Sequence, residues 1–168
     1  MIKNINFLFV TFFGVGTIRY APGTITSLIT TIFLFSSFHI LDLSKSAILI
    51  ILIAVFLYSF LAVASYIKED SNKDPKEVVI DEVIGQSIPI YLYEISHGTN
   101  KESKEAILFY IYIFILFRFF DIKKPFPVNF IDRKFKNCFG VIMDDVVAGF
   151  YVVLTLIIFM VVKSKLFT

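Results

Sequence analysis

Two pairs of adjacent carboxylates and a single third one are set among apolar residues, each with basic residues or glycine nearby. Asp81 and Glu82 stand in Val78-Val79-Ile80-Asp81-Glu82-Val83-Ile84-Gly85. Asp121 follows Arg118 in Arg118-Phe119-Phe120-Asp121-Ile122-Lys123-Lys124-Pro125, and Asp132-Arg133 comes shortly after. Asp144 and Asp145 lie in Gly140-Val141-Ile142-Met143-Asp144-Asp145-Val146-Val147-Ala148-Gly149. A charged group near a bilayer core costs about 2.5–3.5 kcal/mol on insertion scales. Asp81, Glu82, Asp121, Asp144 and Asp145 therefore need a use. A metal ion, a proton path and a salt-bridged hinge are the uses open to them.

Each group also has a plainer reading. Acids near the start of a helix complement its dipole, and both pairs are expected at helix starts. Against this, Asp81 with Gly85 and Asp145 with Gly149 repeat one acid-then-glycine i,i+4 pattern, which leaves room beside the carboxylate for a ligand or another backbone. Arg118 and Asp121 are i,i+3, so a salt bridge within one helix, worth about 0.2–0.5 kcal/mol, is their simplest role. Arg is equally a bidentate phosphate ligand and Lys a point-charge one. Lys123 and Lys124 also fit as membrane-flanking charges. Asp132 either orients Arg133 or caps a turn. The segment 14–24, with Ala21-Pro22-Gly23-Thr24 before a helix, reads as an anion site or as a plain capped loop, with Arg19 a natural phosphate partner.

The elements that position these groups are greasy. Of 168 residues, 57% are hydrophobic and 21 are Phe; the mean hydropathy is +0.81. The length suits a single domain over 1–168. Four apolar segments, 25–41, 47–67, 106–120 and 146–162, and a weaker fifth at 83–95 predict an all-α, membrane-embedded bundle of four to five apolar helices. The fifth contains Gln86, Ser87 and Pro89, so it is a poor span or a helix packed inside the bundle. Thr24 or Thr26 is expected to cap the first long helix and Ser44 or Ser46 the second. Pro125 and Pro127 end the fourth. The apolar run 5–13 leads into Gly14-Val15-Gly16 rather than a cleavage site and is read as retained.

If all five segments cross, one side collects Lys3, Arg19, Lys68, Lys73, Lys76, Arg118, Lys123, Lys124, Arg133, Lys134 and Lys136. The other holds Lys45, Lys101, Lys104, Lys163 and Lys165. The first is then cytoplasmic, and all five acids fall on it. A compact bundle that only partly enters the bilayer is the competing arrangement.

Several chemistries drop out. The net charge of +2 gives no case for nucleic acid. Cys138 stands alone, so it makes no internal disulfide or Cys-rich metal site, and it reads as a small apolar filler. A phosphatase-type cysteine loop needs Arg six residues on, where Asp144 stands. His39 and His97 are isolated on the side away from the acids. Gly-x-Ser-x-Gly and a P-loop are missing. Carboxylates with Arg and Lys remain, and hard oxygens suit Mg²⁺, which with basic side chains suits a phosphate.

The motifs together resemble those of the phosphatidylglycerophosphatase A family. They are Ala21-Pro22-Gly23-Thr24, Asp74-Pro75-Lys76-Glu77, Ile80-Asp81-Glu82-Val83-Ile84-Gly85-Gln86, the Phe117–Pro127 stretch with Arg118-x-x-Asp121-x-x-Lys124-Pro125, Ile131-Asp132-Arg133, and the final Asp144-Asp145-x-x-Ala148-Gly149 segment. The resemblance implies an all-helical, Mg²⁺-dependent, multi-pass phosphatase of the bacterial inner membrane. It would hydrolyse the terminal phosphomonoester of phosphatidylglycerophosphate to phosphatidylglycerol and phosphate on the cytoplasmic side. In that picture Asp81, Glu82, Asp144 and Asp145 hold Mg²⁺. Asp121 is a further ligand or positions a water, and Arg118, Lys124 and Arg133 clamp the phosphate. A phosphatase of another lipid phosphate and a non-enzymatic cation carrier are the alternatives.

Overall fold

A computed structural model of the chain describes residues 2–69, 76–97 and 103–166. Asp74 and Pro75 of one motif, and Lys73 and Lys101 of the charge pattern, lie outside these residues. So do the side chains of Lys3, Lys68, His97 and Lys104. The described residues form seven α-helices and no strand: α1 (Ile2–Val10), α2 (Pro22–His39), α3 (Lys45–Glu69), α4 (Ile80–His97), α5 (Ser103–Lys123), α6 (Val128–Lys134) and α7 (Cys138–Leu166).

Helix α4 is the centre of the bundle. Ile84, Gln86, Ser87, Ile90, Tyr91 and Tyr93 are all buried, so the weak fifth segment is the helix packed inside. Contacts at both of its ends fix how its neighbours run. Ser27 bonds Glu82 and His39 meets Glu94, so α2 is parallel to α4. Arg118 meets Glu82 and Tyr110 meets Glu94, so α5 is antiparallel. One apolar cluster joins Phe38, Ile90, Ile113, Phe117 and Val152. A second joins Val10, Val63, Ile84, Ile142 and Val146 nearer the acids.

Two helices, α3 and α7, are long and apolar enough to cross a membrane, fewer than the four to five expected. Polar residues within the others account for the difference. Helix α2 carries Thr24, Thr26, Ser27, Thr30, Thr31, Ser36 and Ser37; α4 carries Asp81, Glu82 and Glu94; α5 carries Glu105, Arg118, Asp121 and Lys123. The buried hydroxyls of Thr31 and Ser37 in α2 donate to carbonyls one turn back, Thr31 to Ser27 at 2.8 Å. The outer faces are nevertheless apolar, with Ile32 and Phe33 of α2, Ile50 and Leu57 of α3, Leu108 and Ile115 of α5, and Leu154 and Ile158 of α7 all exposed.

Three local expectations are corrected. Neither Thr24 nor Thr26 caps α2, which starts from Ala21 with Pro22 in its first turn, because Pro lacks the N–H that a first turn leaves unpaired. Helix α7 begins at Cys138, so Asp144 and Asp145 lie in its second turn and do not open it. Its apolar residues 138–143 extend the helix toward the connection, which removes the dipole explanation for the pair. His39 is not isolated: its Nε2 lies 3.1 Å from Glu94 Oε1, which also accepts the Tyr110 hydroxyl at 3.0 Å. Ser44 does cap α3, accepting from the Ala47 N–H at 3.2 Å.

The glycines one turn past the acid pairs set the α4–α7 contact. A Cβ on Gly149 would stand 2.5 Å from the Gly85 carbonyl oxygen, and one on Gly85 would stand 2.7 Å from that of Asp145. The two backbones touch, as small residues permit in apolar bundles. Gly149→Val is therefore expected to force α4 and α7 apart and destabilise the protein by about 1–3 kcal/mol. Thermal unfolding in detergent would show this as a lowered Tm, with Gly149→Ala intermediate.

Candidate active site

The close α4–α7 contact brings both acid pairs to one end of the bundle. Asp81 and Glu82 come from the first turn of α4 and Asp144 and Asp145 from α7, and Asp121 joins them from the last turn of α5. With Lys124, Asp132, Phe135, Lys136, Gly140 and Val141 they line a cavity of about 130 Å³. Asp144 and Asp145 are 7% and 3% exposed.

The cations at this end are not equivalent. Arg118 donates through Nη1 to Glu82 Oε2 and, at 3.3 Å, to Ser27 Oγ, and through Nη2 to Asp121 at 2.9 Å. It ties α5 to α4 and α2 and does not line the cavity. Its bond to Asp121 is the i,i+3 pair expected from sequence. The bond to Glu82 is a tertiary one. Ser27 also donates to Glu82 at 3.0 Å. The Glu82 carboxylate covers Gly23, where a Cβ would meet Oε1 at 1.9 Å. The acid nearest this helix start is thus the protein's own Glu82. Arg19 is exposed and lies over the ring of Tyr20.

Lys124 is placed by its backbone. Pro125 disfavours helical geometry in the residue before it, so α5 stops at Lys123 and Lys124 takes a φ of 42°. Such a conformation in a non-glycine residue costs on the order of 1 kcal/mol and is held by its surroundings. Here the surroundings are Asp144, which accepts from Nζ at 2.6 Å, and Asp132, at 3.1 Å. Burial by itself pulls the Lys124 ammonium down. Attraction and hydrogen bonding to Asp144 and Asp132 outweigh it, and the net shift is upward.

The site thus assembles Asp81, Glu82, Asp121, Lys124, Asp144 and Asp145, with Arg118 behind them. Arg133 is exposed and outside the cavity lining. Asp132 faces Lys124 rather than orienting Arg133. The sequence does not single out Ser27, and it marks Lys136 only as one of the basic residues on the acid side. Ser27 is one hydroxyl among many in α2, and its single signal is its place four residues after Gly23. Lys136 stands four residues after Asp132, the one hint that both face the same way.

The donor set suits a hard divalent cation. One carboxylate oxygen from each of Glu82, Asp121 and Asp145 lies within 4.8 Å of the others. Oxygens around a single Mg²⁺ stand about 3–4 Å apart, given metal–oxygen distances of about 2.1 Å. Rotamer adjustment covers the difference. Burial, then the charges of Glu82 and Asp144, hold the Asp81 carboxyl well above the usual value. Burial and Asp121 lift Glu82 to about 7, against the opposing pull of Arg118. Both lie in the first turn of α4, outside the long apolar helices. Carboxyls in such a place bind either protons or a cation.

Two outcomes follow. Arg118→Ala leaves Glu82 and Asp121 unpaired and is expected to destabilise the protein by about 3–5 kcal/mol, part of which Arg118→Ala with Glu82→Gln regains. Denaturation in detergent checks this, and an additive double variant would overturn it. Because Lys124 is raised, it stays protonated through the pH range around the ordinary lysine pKa of about 10.4. In a pH–activity profile, Lys124→Arg should leave the alkaline limb where it is; a shift of that limb would show that Lys124 titrates there.

Comparison with known proteins supplies the family. The profile of the family described as phosphatidylglycerophosphatase A matches residues 8–160. A protein of Haemophilus influenzae named "Phosphatidylglycerophosphatase A" is 35% identical over 145 residues, covering 84% of this chain and 80% of its own. A protein of Bacteroides thetaiotaomicron named "Putative phosphatidylinositol-3-phosphatase" is 32% identical over 143 residues, covering 83% of each. The Escherichia coli protein named "Phosphatidylglycerophosphatase A" is 28% identical over 137 residues, 82% of this chain and 73% of its own. No solved structure matches the chain. The chain belongs to the phosphatidylglycerophosphatase A family of phosphoric monoester hydrolases.

Proposed function

We propose that the protein is a Mg²⁺-dependent lipid phosphatase that hydrolyses the terminal phosphomonoester of phosphatidylglycerophosphate, giving phosphatidylglycerol and phosphate. The observation that carries this reading is the convergence of six carboxylates and two lysines in one cavity at the end of a bundle with apolar outer faces. Glu82, Asp121 and Asp145, with Asp81 and Asp144 beside them, would hold Mg²⁺. Bound there, the ion supplies Lewis-acid polarisation of the phosphoryl oxygens and acidifies water. Arg118 keeps Glu82 and Asp121 in place, and Lys124 offers a fixed positive charge to the phosphate. Several helices besides α3 and α7 would meet lipid through their apolar faces. The basic residues Arg19, Lys76, Lys123, Arg133, Lys134 and Lys136, expected at the acid end, support a placement of that end on the cytoplasmic side of a bacterial inner membrane. Acids at one end beside lysines favour phosphate chemistry over a cation carrier, which needs its acids along a path.

A second lipid is supported by the similarity to the Bacteroides protein named for phosphatidylinositol-3-phosphatase, which is as extensive as that to the Haemophilus protein. Phosphate release by the purified protein in detergent, with each lipid and with Mg²⁺ present or chelated, separates the two. Release from phosphatidylglycerophosphate is expected to need Mg²⁺. In both Asp81→Asn and Asp145→Asn it should fall by about two orders of magnitude or more with folding retained. Release from the inositol lipid alone changes the substrate. Release from no phosphomonoester defeats the enzymatic reading.

A further inference from the structure

Of the two lysines that line the cavity, Lys136 is the one that its acids hold loosely. Lys124 is bound at 2.6 Å and 3.1 Å, and Arg118 is spent on Glu82, Asp121 and Ser27. The Lys134 ammonium lies over the rings of Phe130 and Phe135. Lys136 lines the cavity, its side chain is 50% exposed, and its ion pair is a long one, 4.0 Å to Asp132. Asp132 has a closer partner in Lys124, so Lys136 can leave it without stranding a buried charge.

We propose that Lys136 binds the phosphodiester that joins the headgroup to the lipid, and so selects substrates carrying a second phosphate beyond the one removed. The inference rests on the lipid phosphatase reading above. The phosphomonoester must reach the buried acids, and the acyl chains must stay in the bilayer. The diester, a few bonds from the monoester, is then left at the mouth of the cavity. That is where the exposed, loosely held ammonium stands. A lysine suits the task because its flexible stem can follow a diester whose single negative charge needs a point partner.

The test uses water-soluble fragments as competitive inhibitors of phosphatidylglycerophosphate hydrolysis in detergent micelles. Glycerophosphoglycerophosphate carries both phosphates, and glycerol phosphate carries the monoester alone. The unaltered protein should bind the first about tenfold more tightly, the worth of one hydrogen bond to a charged group. Lys136→Gln should bring the two inhibition constants together, and Lys136→Arg should keep them apart. The proposal is overturned if the unaltered protein shows no preference, if Lys136→Gln preserves it, or if Lys136→Gln weakens both fragments equally. The last result would place Lys136 at the reacting phosphate. If the unaltered protein releases no phosphate from any lipid, the functional reading itself fails and this inference with it.

Discussion

Repulsion among six carboxylates is the constraint around which this end of the protein is built. At about 4 Å, two like charges repel by about 4 kcal/mol at an effective dielectric of 20. Arg118 and Lys124 offset part of this, and each reaches acids on different elements: Arg118 on α4 and α5, Lys124 on α6 and α7. The same bonds that lower the electrostatic cost therefore hold the helices in register. The charge that is left over would drive the binding of the proposed cation, so the assembly of the fold and that binding would draw on one source.

The opposite end of the bundle uses a smaller polar group for a similar purpose. Glu94 is 1% exposed and receives His39 and Tyr110. Lys45 at the start of α3 donates to its backbone carbonyl at 2.7 Å, and the Tyr91 hydroxyl donates to that of Lys45. Helix α4 is thereby pinned at both ends by charged contacts to α2 and α5, with apolar packing between. In surroundings where apolar side chains gain little by leaving lipid for protein, such polar contacts carry much of the specificity of helix pairing.

Much of this was readable from the residues. The five acids were singled out by their apolar neighbours, and the repeated acid-then-glycine spacing pointed to close approach, which proved to be one backbone against another. Pro125 marked the end of α5, and Ser44 its cap on α3. Other features rest on contacts between distant segments. Only an i,i+4 spacing hints that Ser27 and Lys136 face the acids, and nothing local says that Arg118 turns toward Glu82. The start of α7 was misplaced because residues 138–143 read as connection, whereas the helix continues through them to reach the site. The number of spans was overestimated because apolar content is a sum. It does not register that the threonines and serines of α2 and the acids of α4 point inward.

The contact between Gly85 and Gly149 has a consequence for life in a bilayer. Because backbone meets backbone there, the separation of the two acid pairs is set by main-chain geometry and not by side-chain rotamers. In a bilayer, helices α4 and α7 would then tilt as one body when the surroundings thin or thicken. A change of membrane thickness would raise or lower the acidic cavity relative to the headgroups while leaving its shape intact.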